Sequence, residues 1–434
     1  NPFWICARCR LEEGLLENMK MRALMRRGGA TRAMSFLSAD SARQPVIVSA
    51  MRTPIGSFGG SLAGVKAPQL GAAAIMGALR AANVPAEYVQ EVLMGNVCSA
   101  GVGQAPARQA SMAAGLPQST VATTINKVCA SGMKTVSMAA MGIAVGMNDI
   151  VVAGGMESMS NVPYLIEKVR FGGLRYGNGK MVDCLVHDGL WDPYGDHHMG
   201  ICAEKCASQY NITREEQDEH VHETYKRTIA AIEQGHFTSQ ITPVSIPGRG
   251  GPTVVSADEE PLKVKIDKIS KLKPAFKPED GSVTAANSSS INDGAAALVI
   301  MSAGKAKDLG LIPLAKIIAF ADAEQAPIDF TTAPSLAVPK ALKMAGMDIS
   351  HVDLWELNQA FSVVSIANQR ILDLDPAKMD ITGGAVVLGH PIGCSGARII
   401  VTLLHNLIRT GKSVGGAGIC NGGGGASAII IERI

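Results

Sequence analysis

The sequence predicts an α/β fold with two related halves and a polar region inserted in the first half. Three observations lead to this prediction. Short apolar runs alternate with helix-like stretches, as in parallel sheets covered by helices. The 47 glycines among 434 residues gather between those runs without a collagen-like period. A small-residue motif that opens an apolar helix occurs once in each half, although such a short repeat is only suggestive alone.

The elements follow in chain order. Residues 45–50 (PVIVSA) form the first buried-strand pattern, and residues 70–82 are Ala-rich and helix-like. Residues 92–97 are predicted as a strand, 134–145 as a helix and 149–154 as a buried strand that ends in glycine. A length of 434 residues is enough for two or three domains with real cores.

The character of the chain changes between residues 160 and 290, where charges, histidines, prolines and aromatic residues concentrate. Residues 214–227 are predicted as a polar helix, and residues 243–261 are rich in turn formers. The apolar alternation resumes at Asn292 and continues to the end. The region is therefore predicted to be an inserted domain or a long excursion from the sheet.

The first 44 residues are different again. Residues 19–39 carry five lysines and arginines, two serines and no acidic residue. This composition is typical of a mitochondrial transit segment, and we expect a mature start between Met34 and Pro45. The acidic residues at 12, 13 and 17 favour the alternative of a disordered tail or a wrongly assigned gene start.

Composition also excludes several classes of protein. A net charge of +2 argues against nucleic acid as the main partner. The charge-free stretch 413–431 contains seven glycines, so it favours a loop between short strands over a membrane span. Nine cysteines without a recurring spacing favour a reducing compartment. Cys6 and Cys9 are spaced C-x-x-C, but one such pair is a weak zinc signal because a structural site needs four ligands.

Three loops carry residues whose side chains could take part in a reaction. Cys129 precedes a predicted helix, whose dipole favours a thiolate, although its position alone fits an inert buried cysteine better. His390 lies between glycines and precedes Pro391, which is an unusual setting for a structural histidine. Cys420 precedes a glycine run that could cradle phosphate but lacks the G-K-[ST] ending of a P-loop.

Together these segments closely resemble the thiolase family, over about 390 residues and in family order. Within it, the chain looks most like the short-chain acetyl-CoA acetyltransferases, particularly the mitochondrial acetoacetyl-CoA type. The matching segments are Arg52–Gly56, Asn126–Gly132, Gly154–Met159, Asn292–Ala295, Asn358–Phe361, Gly389–Gly393 and Cys420–Gly424.

The resemblance implies the thiolase fold, with two similar five-stranded α/β domains and an inserted loop domain. The expected domain boundaries follow from this plan. Residues 1–44 would be a transit segment or tail, and residues 45–159 would form the N-terminal domain, which residues 291–312 complete. The loop domain, expected to bind coenzyme A, would occupy 160–290, and the C-terminal domain 313–434.

The resemblance also implies roles for the reactive residues. Cys129 would be the acylated nucleophile, His390 would take its proton, and Cys420 would remove the α-proton of a second acetyl-CoA. Asn358 would hold a water that helps to stabilise the enolate oxygen. The backbone N–H groups of Cys129 and Gly422 would bind the tetrahedral oxyanion. Joining two acetyl thioesters needs an activated acyl group and a carbanion, which such residues supply in separate steps.

One residue departs from the family pattern. The family usually has Asn-Glu-Ala-Phe where this chain has Asn358-Gln359-Ala360-Phe361. Asn358 is retained, so the water-holding role can stand. Loss of the carboxylate puts the rate in doubt more than the reaction class.

By resemblance, Tyr194, Lys263, Lys268 and Ser289 would lie near the pantetheine or nucleotide part of coenzyme A. Lys263 fits a solvated lysine face equally well. Met199 matches a methionine of the short-chain subgroup and would narrow the acyl pocket, although a core methionine is nearly as good an interpretation.

Mitochondrial short-chain members of the family use potassium near the coenzyme A loop. The corresponding ligand positions are Tyr194, Ala285, Ala286, Ser288 and Val386. Most would act through backbone oxygens, which suit a hard monovalent cation.

The function expected is reversible condensation of two acetyl-CoA to acetoacetyl-CoA and CoA through an acyl-cysteine, without a covalent cofactor. A broad-chain degradative 3-ketoacyl-CoA thiolase is the nearest alternative. A non-catalytic coenzyme A-binding scaffold and a Cys–His thioester hydrolase are further ones. Family resemblance implies a homotetramer. Composition argues against a membrane or nucleic-acid partner, and the Arg-rich segment favours the mitochondrial matrix, with the cytoplasm as the alternative.

Overall fold

The computed structural model describes residues 40–434. The Arg-rich stretch and the Cys6/Cys9 pair therefore lie outside the described residues. The seven cysteines between residues 40 and 434 are all free thiols. In that part of the chain, no helix is both long and apolar enough to cross a membrane.

The strands are short or of medium length, and most of the long ones are buried along nearly their whole length. They are β1 Pro45–Arg52, β2 Gly56–Ser57, β3 Glu91–Gly95, β4 Val121–Ile125, β5 Ile150–Ser158, β6 Tyr164–Ile166, β7 Met181–Asp183, β8 Trp191–Asp192, β9 His197–His198, β10 Val244–Ile246, β11 Thr253–Val255, β12 Asn292–Ser302, β13 Ala315–Glu324, β14 Leu354–Leu357, β15 Val414–Asn421 and β16 Gly425–Arg433.

The α-helices cover the sheet or belong to the inserted region. They are α1 Ala67–Ala82, α2 Pro106–Ala113, α3 Ser131–Ala144, α4 Met199–Gln209, α5 Arg214–Glu233, α6 Ala303–Asp308, α7 Pro334–Ala345, α8 Ser362–Leu372, α9 Ala385–Leu388 and α10 Ile392–Thr410.

One mixed sheet runs through the molecule in the order β14-β15-β16-β13-β1-β12-β5-β3-β4, and β2 pairs with β12. The sheet is parallel where β3 meets β4 and β5 and where β14 meets β15, and antiparallel elsewhere. The order β1-β12-β5-β3 of the first half matches β13-β16-β15-β14 of the second. This symmetry confirms the two-half α/β fold.

The halves differ at their outer edges. The first half ends in the fifth strand β4, whereas in the second half a single parallel bridge between Trp355 and Met379 lies beside β14. The second half therefore carries four full strands rather than the five expected.

Two helices from the predicted repeat cross between the halves. A Cβ atom on Gly132 of α3 would lie 2.7 Å from the backbone N of Ala397 in α10, and one on Gly396 would lie 2.5 Å from the N of Met133. Such distances leave no room for a side chain, so glycine is required at both positions. The crossing brings the N-termini of α3 and α10 to one place.

Residues 160–290 leave the large sheet, as predicted. They form three small hairpins (β6–β7, β8–β9 and β10–β11) together with α4 and α5. The predicted helix 214–227 continues to Glu233, and the turn-rich stretch 243–261 contains a hairpin. The domain boundaries given above stay a prediction.

Candidate active site

A cavity of about 570 Å³ lies where the inserted region meets the crossing of α3 and α10. Cys129, His390, Gly422, Met199 and Ser289 all line it. Apolar side chains, including Phe276 and Phe361, make up much of the remaining wall. An apolar wall with a few convergent reactive groups is typical of a small-molecule site.

Cys129 lies on a strained turn just before α3. The preceding residue Val128 has φ +46°, which a β-branched residue rarely adopts. The Ser131 hydroxyl holds this turn, because it accepts the N–H of Lys127 at 2.8 Å and donates to the Val128 carbonyl at 2.6 Å. The turn presents the sulfur to the cavity ahead of the helix N-terminus.

The Cys129 sulfur is enclosed by protein although the residue borders the cavity. Burial raises the pKa of the thiol to about 12, and hydrogen bonds from the backbone N–H groups of Gly422 and of Cys129 itself act in the opposite direction. The resting side chain is therefore a thiol. Two N–H groups from opposite halves of the chain converge on the sulfur.

The position of His390 depends on the glycine before it. Gly389 has φ +103°, and a Cβ atom there would lie 2.4 Å from the Asn292 side-chain oxygen. That oxygen accepts the backbone N–H of His390 at 2.8 Å. Glycine at 389 thus lets Asn292 from the first half of the sheet fix the loop.

The contacts of the imidazole indicate which nitrogen carries the proton. Nδ1 lies 2.5 Å from the Ser395 hydroxyl, and that hydroxyl donates to the Pro391 carbonyl at 2.9 Å. Since the hydroxyl proton is committed, we infer that Nδ1–H of His390 donates and that Nε2 keeps a free lone pair. Burial, assisted by the charge of Arg398, lowers the pKa of His390 to about 3. His390 is therefore a neutral base.

Asn358 lies beside the free nitrogen of His390. Its Nδ2 is 3.5 Å from His390 Nε2, at the limit of a hydrogen bond, and its Oδ1 accepts from Arg398 Nη2 at 3.3 Å. Arg398 is buried and lies 3.9 Å from the carboxylate of Glu356. The guanidinium therefore fixes the amide so that Nδ2 faces the histidine.

Cys420 is fully buried at the end of β15, and it is not part of the cavity wall. It packs in a cluster with Met199 and Phe361, which do line the cavity. Burial raises the pKa of its thiol well above the usual value, and negative charge on Cys129 raises it further. The two sulfurs are thus close enough to affect each other.

Glu157 joins the two halves behind Cys129, and the sequence analysis did not select it. Its carboxylate accepts the N–H groups of Val97 at 3.0 Å, Cys98 at 3.3 Å and Gly393 at 2.9 Å, and the amide of Asn96 at 2.9 Å. Burial raises its pKa to about 7, although these N–H donors oppose the shift. The sequence did contain a signal for Glu157, because this residue is an isolated charge in the largely apolar strand β5.

Gln359 faces a buried carboxylate. Its Nε2 donates to Asp380 Oδ2 at 2.9 Å, and Asp380 Oδ1 accepts the N–H of Leu357 at 2.9 Å. Burial raises the pKa of Asp380, and the amide of Gln359 opposes the rise. The amide lets Asp380 hold the strand end before Asn358 without adding a further carboxyl group to the buried acids Asp380 and Glu356.

The structure brings some of the expected coenzyme A positions together. Ser289 and Lys263 line the main cavity, while Lys263 and Lys268 line an adjoining cavity of about 300 Å³. Lys263 also pairs with Glu259 at 2.7 Å. The side chain of Tyr194 is 75% exposed and lies on neither wall.

The expected potassium ligands are also only partly brought together. Ala285, Ala286, Ser288 and Val386 line the smaller cavity, but Tyr194 does not. Tyr225, which was not selected from the sequence, packs in one cluster with Ala286 and Val386.

The fold and these loops define a member of the thiolase family, and the chain belongs to it. Residues 45–304 match the thiolase N-terminal domain family and residues 311–433 match the thiolase C-terminal domain family.

Similar proteins carry acetyltransferase names. The chain is 53% identical over 400 residues to a probable acetyl-CoA acetyltransferase of Dictyostelium discoideum (92% of this chain, 96% of that protein). It is 55% identical over 400 residues to the mitochondrial acetyl-CoA acetyltransferase of Danio rerio (92% and 94%). A thiolase of Ascaris suum, solved in complex with coenzyme A, is 44% identical with a TM-score of 0.85, covering 90% of this chain and 100% of that chain.

Proposed function

We propose that this chain is an acetyl-CoA C-acetyltransferase, which condenses two acetyl-CoA to acetoacetyl-CoA and CoA, and reverses the reaction by thiolysis. One observation carries the proposal. The Cys129 sulfur borders a cavity, receives two backbone N–H groups and shares that cavity with the neutral base His390. Relatives at 53–55% identity with acetyltransferase names support it.

In the first half-reaction, Cys129 attacks the carbonyl carbon of acetyl-CoA. Nε2 of His390 takes the thiol proton as the new C–S bond forms. The N–H groups of Cys129 and Gly422, which face the sulfur, lie where they can bind the oxyanion. The bond to CoA then breaks, and the Cys420 thiol gives its proton to the departing CoA thiolate, while His390 keeps the proton taken from Cys129.

In the second half-reaction, Cys420 removes an α-proton from a second acetyl-CoA. Cys420 is a thiolate at this point because it has given its proton to the departing CoA, and the acetylated Cys129 carries no negative charge that would oppose it. The carbanion attacks the acetyl carbon, the bond from that carbon to Cys129 breaks, and His390 returns its proton to the Cys129 sulfur. The Nδ2 atom of Asn358, oriented by Arg398, suits a water that would stabilise the enolate oxygen together with His390.

Labelling separates the two cysteines. Cys129→Ala should abolish both acyl-enzyme formation and condensation. Cys420→Ala should still take an acetyl group from acetyl-CoA on Cys129, while condensation falls by ~100- to 10,000-fold because proton transfer is lost. The measurement is intact mass with peptide mapping. A label on Cys420 in the wild type, or none on Cys129 in Cys420→Ala, contradicts these roles.

The proposed preference for short acyl chains depends on Met199. A Cβ atom at Gly422 would lie 3.6 Å from the Met199 methyl carbon, so the methionine fills space next to the oxyanion position. We expect Met199→Ala to raise thiolysis of longer 3-ketoacyl-CoA relative to acetoacetyl-CoA. A wild type that cleaves long chains as well as acetoacetyl-CoA would favour the degradative thiolase instead.

Coenzyme A itself would extend from the main cavity past Ser289 toward Lys263 and Lys268. The two lysines line the smaller cavity that shares the Lys263 wall, and lysine ammonium groups suit phosphates.

Potassium fits the smaller cavity. Within residues 40–434, the carbonyl oxygens of Ala285, Ala286 and Ser288 accept no hydrogen bond, and they lie in a loop on its wall. Uncommitted carbonyls suit a hard cation. Tyr225 is a better fifth ligand than Tyr194 because of its packing.

The potassium proposal is tested by exchanging sodium for potassium. Thiolysis and the thermal midpoint should both rise, and Tyr225→Phe should blunt the response, whereas Tyr194→Phe should not. Equal values in both salts would remove potassium from the proposal.

A mitochondrial location and a homotetramer complete the proposal. Mitochondrial relatives support the former. The exposed aromatic side chains of Tyr164, Phe171 and Tyr176 in the inserted region support self-association. Light scattering should show a tetramer that Phe171→Ser weakens. N-terminal sequencing of the native protein should show a start between Met34 and Pro45.

A further inference from the structure

Three metal-binding side chains meet on one side of the β8–β9 hairpin. Asp192 and His197 are paired across the hairpin, and Cys202 lies in α4, which follows directly. The spacing is Asp-x4-His-x4-Cys. One potential ligand atom from each side chain lies within 4.8 Å of those of the other two.

The distances are close to those of a tetrahedral metal site. His197 Nε2 lies 3.6 Å from Asp192 Oδ2, and the Cys202 sulfur lies 4.0 Å from His197 Nδ1. Metal bonds of about 2.0–2.3 Å at tetrahedral angles place neighbouring ligand atoms about 3.3–3.8 Å apart. Asp192 lies near Nε2 of His197, whereas Cys202 lies near Nδ1. The imidazole must therefore shift until one of its nitrogens points between Asp192 and Cys202. The side chain of His197 has room to do so, since it is 19% exposed.

Asp192 has an uncommitted oxygen aimed at this place. Its side chain is 2% exposed, and Oδ1 accepts the N–H of Tyr194 at 3.0 Å. Among the residues that the structure describes, Oδ2 accepts no hydrogen bond, and it lies 3.6 Å from His197 Nε2. A cation at this place would neutralise the charge of a carboxylate that is largely removed from water.

A nucleophilic role for the same residues is less consistent with the structure. Cys202 is fully buried, it does not line the main cavity, and its sulfur lies 4.0 Å from His197 Nδ1. A small ion can enter past the partly exposed His197. Carboxylate, imidazole and thiolate together are ligands that zinc accepts.

We propose that Asp192, His197 and Cys202 form a binding site for a divalent transition-metal ion of the zinc class. The site is separate from the potassium positions and from the catalytic cysteines. Binding replaces the proton of the Cys202 thiol with the metal, so one proton is released for each ion bound. The fourth ligand would come from solvent at the His197 side.

Cobalt(II) is the probe, because a cobalt–thiolate bond gives a near-ultraviolet charge-transfer absorption. Titration of the full-length wild type should show this absorption saturating at one equivalent, and Zn²⁺ should displace it. Cys202→Ser and His197→Asn should each weaken binding by at least ~10-fold, since even the loss of a residue that supports a ligand costs that much. Asp192→Asn keeps the acceptor for the Tyr194 N–H, and it should also weaken cobalt binding.

Cys206→Ser is the matched control, because Cys206 is a buried thiol one turn further along α4. It should bind cobalt as the wild type does. Circular dichroism without metal checks that each variant is folded. A wild type without the charge-transfer absorption overturns the proposal whatever the variants do, and so does unchanged binding in Cys202→Ser.

Discussion

Replacing Glu157 by glutamine should destabilise the protein strongly although the two side chains have the same shape. Each carboxylate oxygen accepts two donors: Oε1 those of Asn96 and Cys98, and Oε2 those of Val97 and Gly393. An amide NH₂ in place of either oxygen leaves two buried donors unpaired. At about 2 kcal/mol for each buried unpaired donor, the loss is about 4 kcal/mol.

That loss can be measured as a thermal midpoint. An unfolding entropy of about 2.1 cal/mol/K per residue gives this chain about 0.9 kcal/mol/K, so about 4 kcal/mol lowers the midpoint by about 4–5 °C. Acetylation of Cys129 should also slow, because Glu157 holds Gly393, three residues from His390. Differential scanning calorimetry and the burst of acetyl-CoA labelling measure the two effects.

Glu87→Gln is the control, because Glu87 is exposed, and it should change stability by less than about 0.5 kcal/mol. A Glu157→Gln midpoint within about 1 °C of that control would refute the reasoning, since about 1 °C corresponds to less than one lost hydrogen bond. It would mean that the N–H groups find other acceptors.

Three further predictions concern charge. The raised pKa of Cys129 predicts that its alkylation by iodoacetamide accelerates about tenfold per pH unit from pH 7 to 10, and a plateau near neutrality would indicate a thiolate–imidazolium pair instead. Gln359→Glu adds a further carboxyl group beside Asp380, which already interacts with the buried acid Glu356; the added acid or Asp380 then keeps its proton in the folded state, so the variant should lose stability relative to wild type as the pH rises from about 5 to 8, and parallel midpoint curves would contradict this. Asp258→Asn leaves the buried Arg52 without its carboxylate, which it contacts at 2.7 and 2.8 Å, and should cost about 3–5 kcal/mol in denaturant unfolding, whereas a loss below about 1 kcal/mol would contradict that expectation.

The regular elements were largely predictable from pattern. The apolar run at 45–50 lies within β1, and the predicted helix at 214 begins where Thr213 and Glu216 form a capping box. Both features depend on neighbours in the chain. The isolated bridge that replaces a fifth strand in the second half was not predictable, because pairing across a sheet depends on residues far apart in sequence.

The reactive loops were found through motifs, whereas the residues that support them were not. Arg398 and Glu157 are single charges in apolar stretches, which was a readable signal, but their partners come from distant loops. The Asp192, His197 and Cys202 cluster needs a hairpin register and a helix start, and no periodicity predicts those. The proposal of Tyr225 beside Tyr194 as a potassium ligand is similar, because it depends on the packing of Tyr225 with Ala286 and Val386, which the sequence does not reveal.

The crossing of α3 and α10 has a kinetic consequence. The loop that is acetylated and the loop that handles its proton are joined to helices that touch backbone to backbone at Gly132 and Gly396. A methyl group at either glycine would displace both loops together. The rate of acetyl loading and the rate of carbon–carbon bond formation should then fall in parallel, with their ratio unchanged. Substitutions at Cys420 should instead change that ratio, so the ratio of the two half-reactions distinguishes damage to the scaffold from damage to the chemistry.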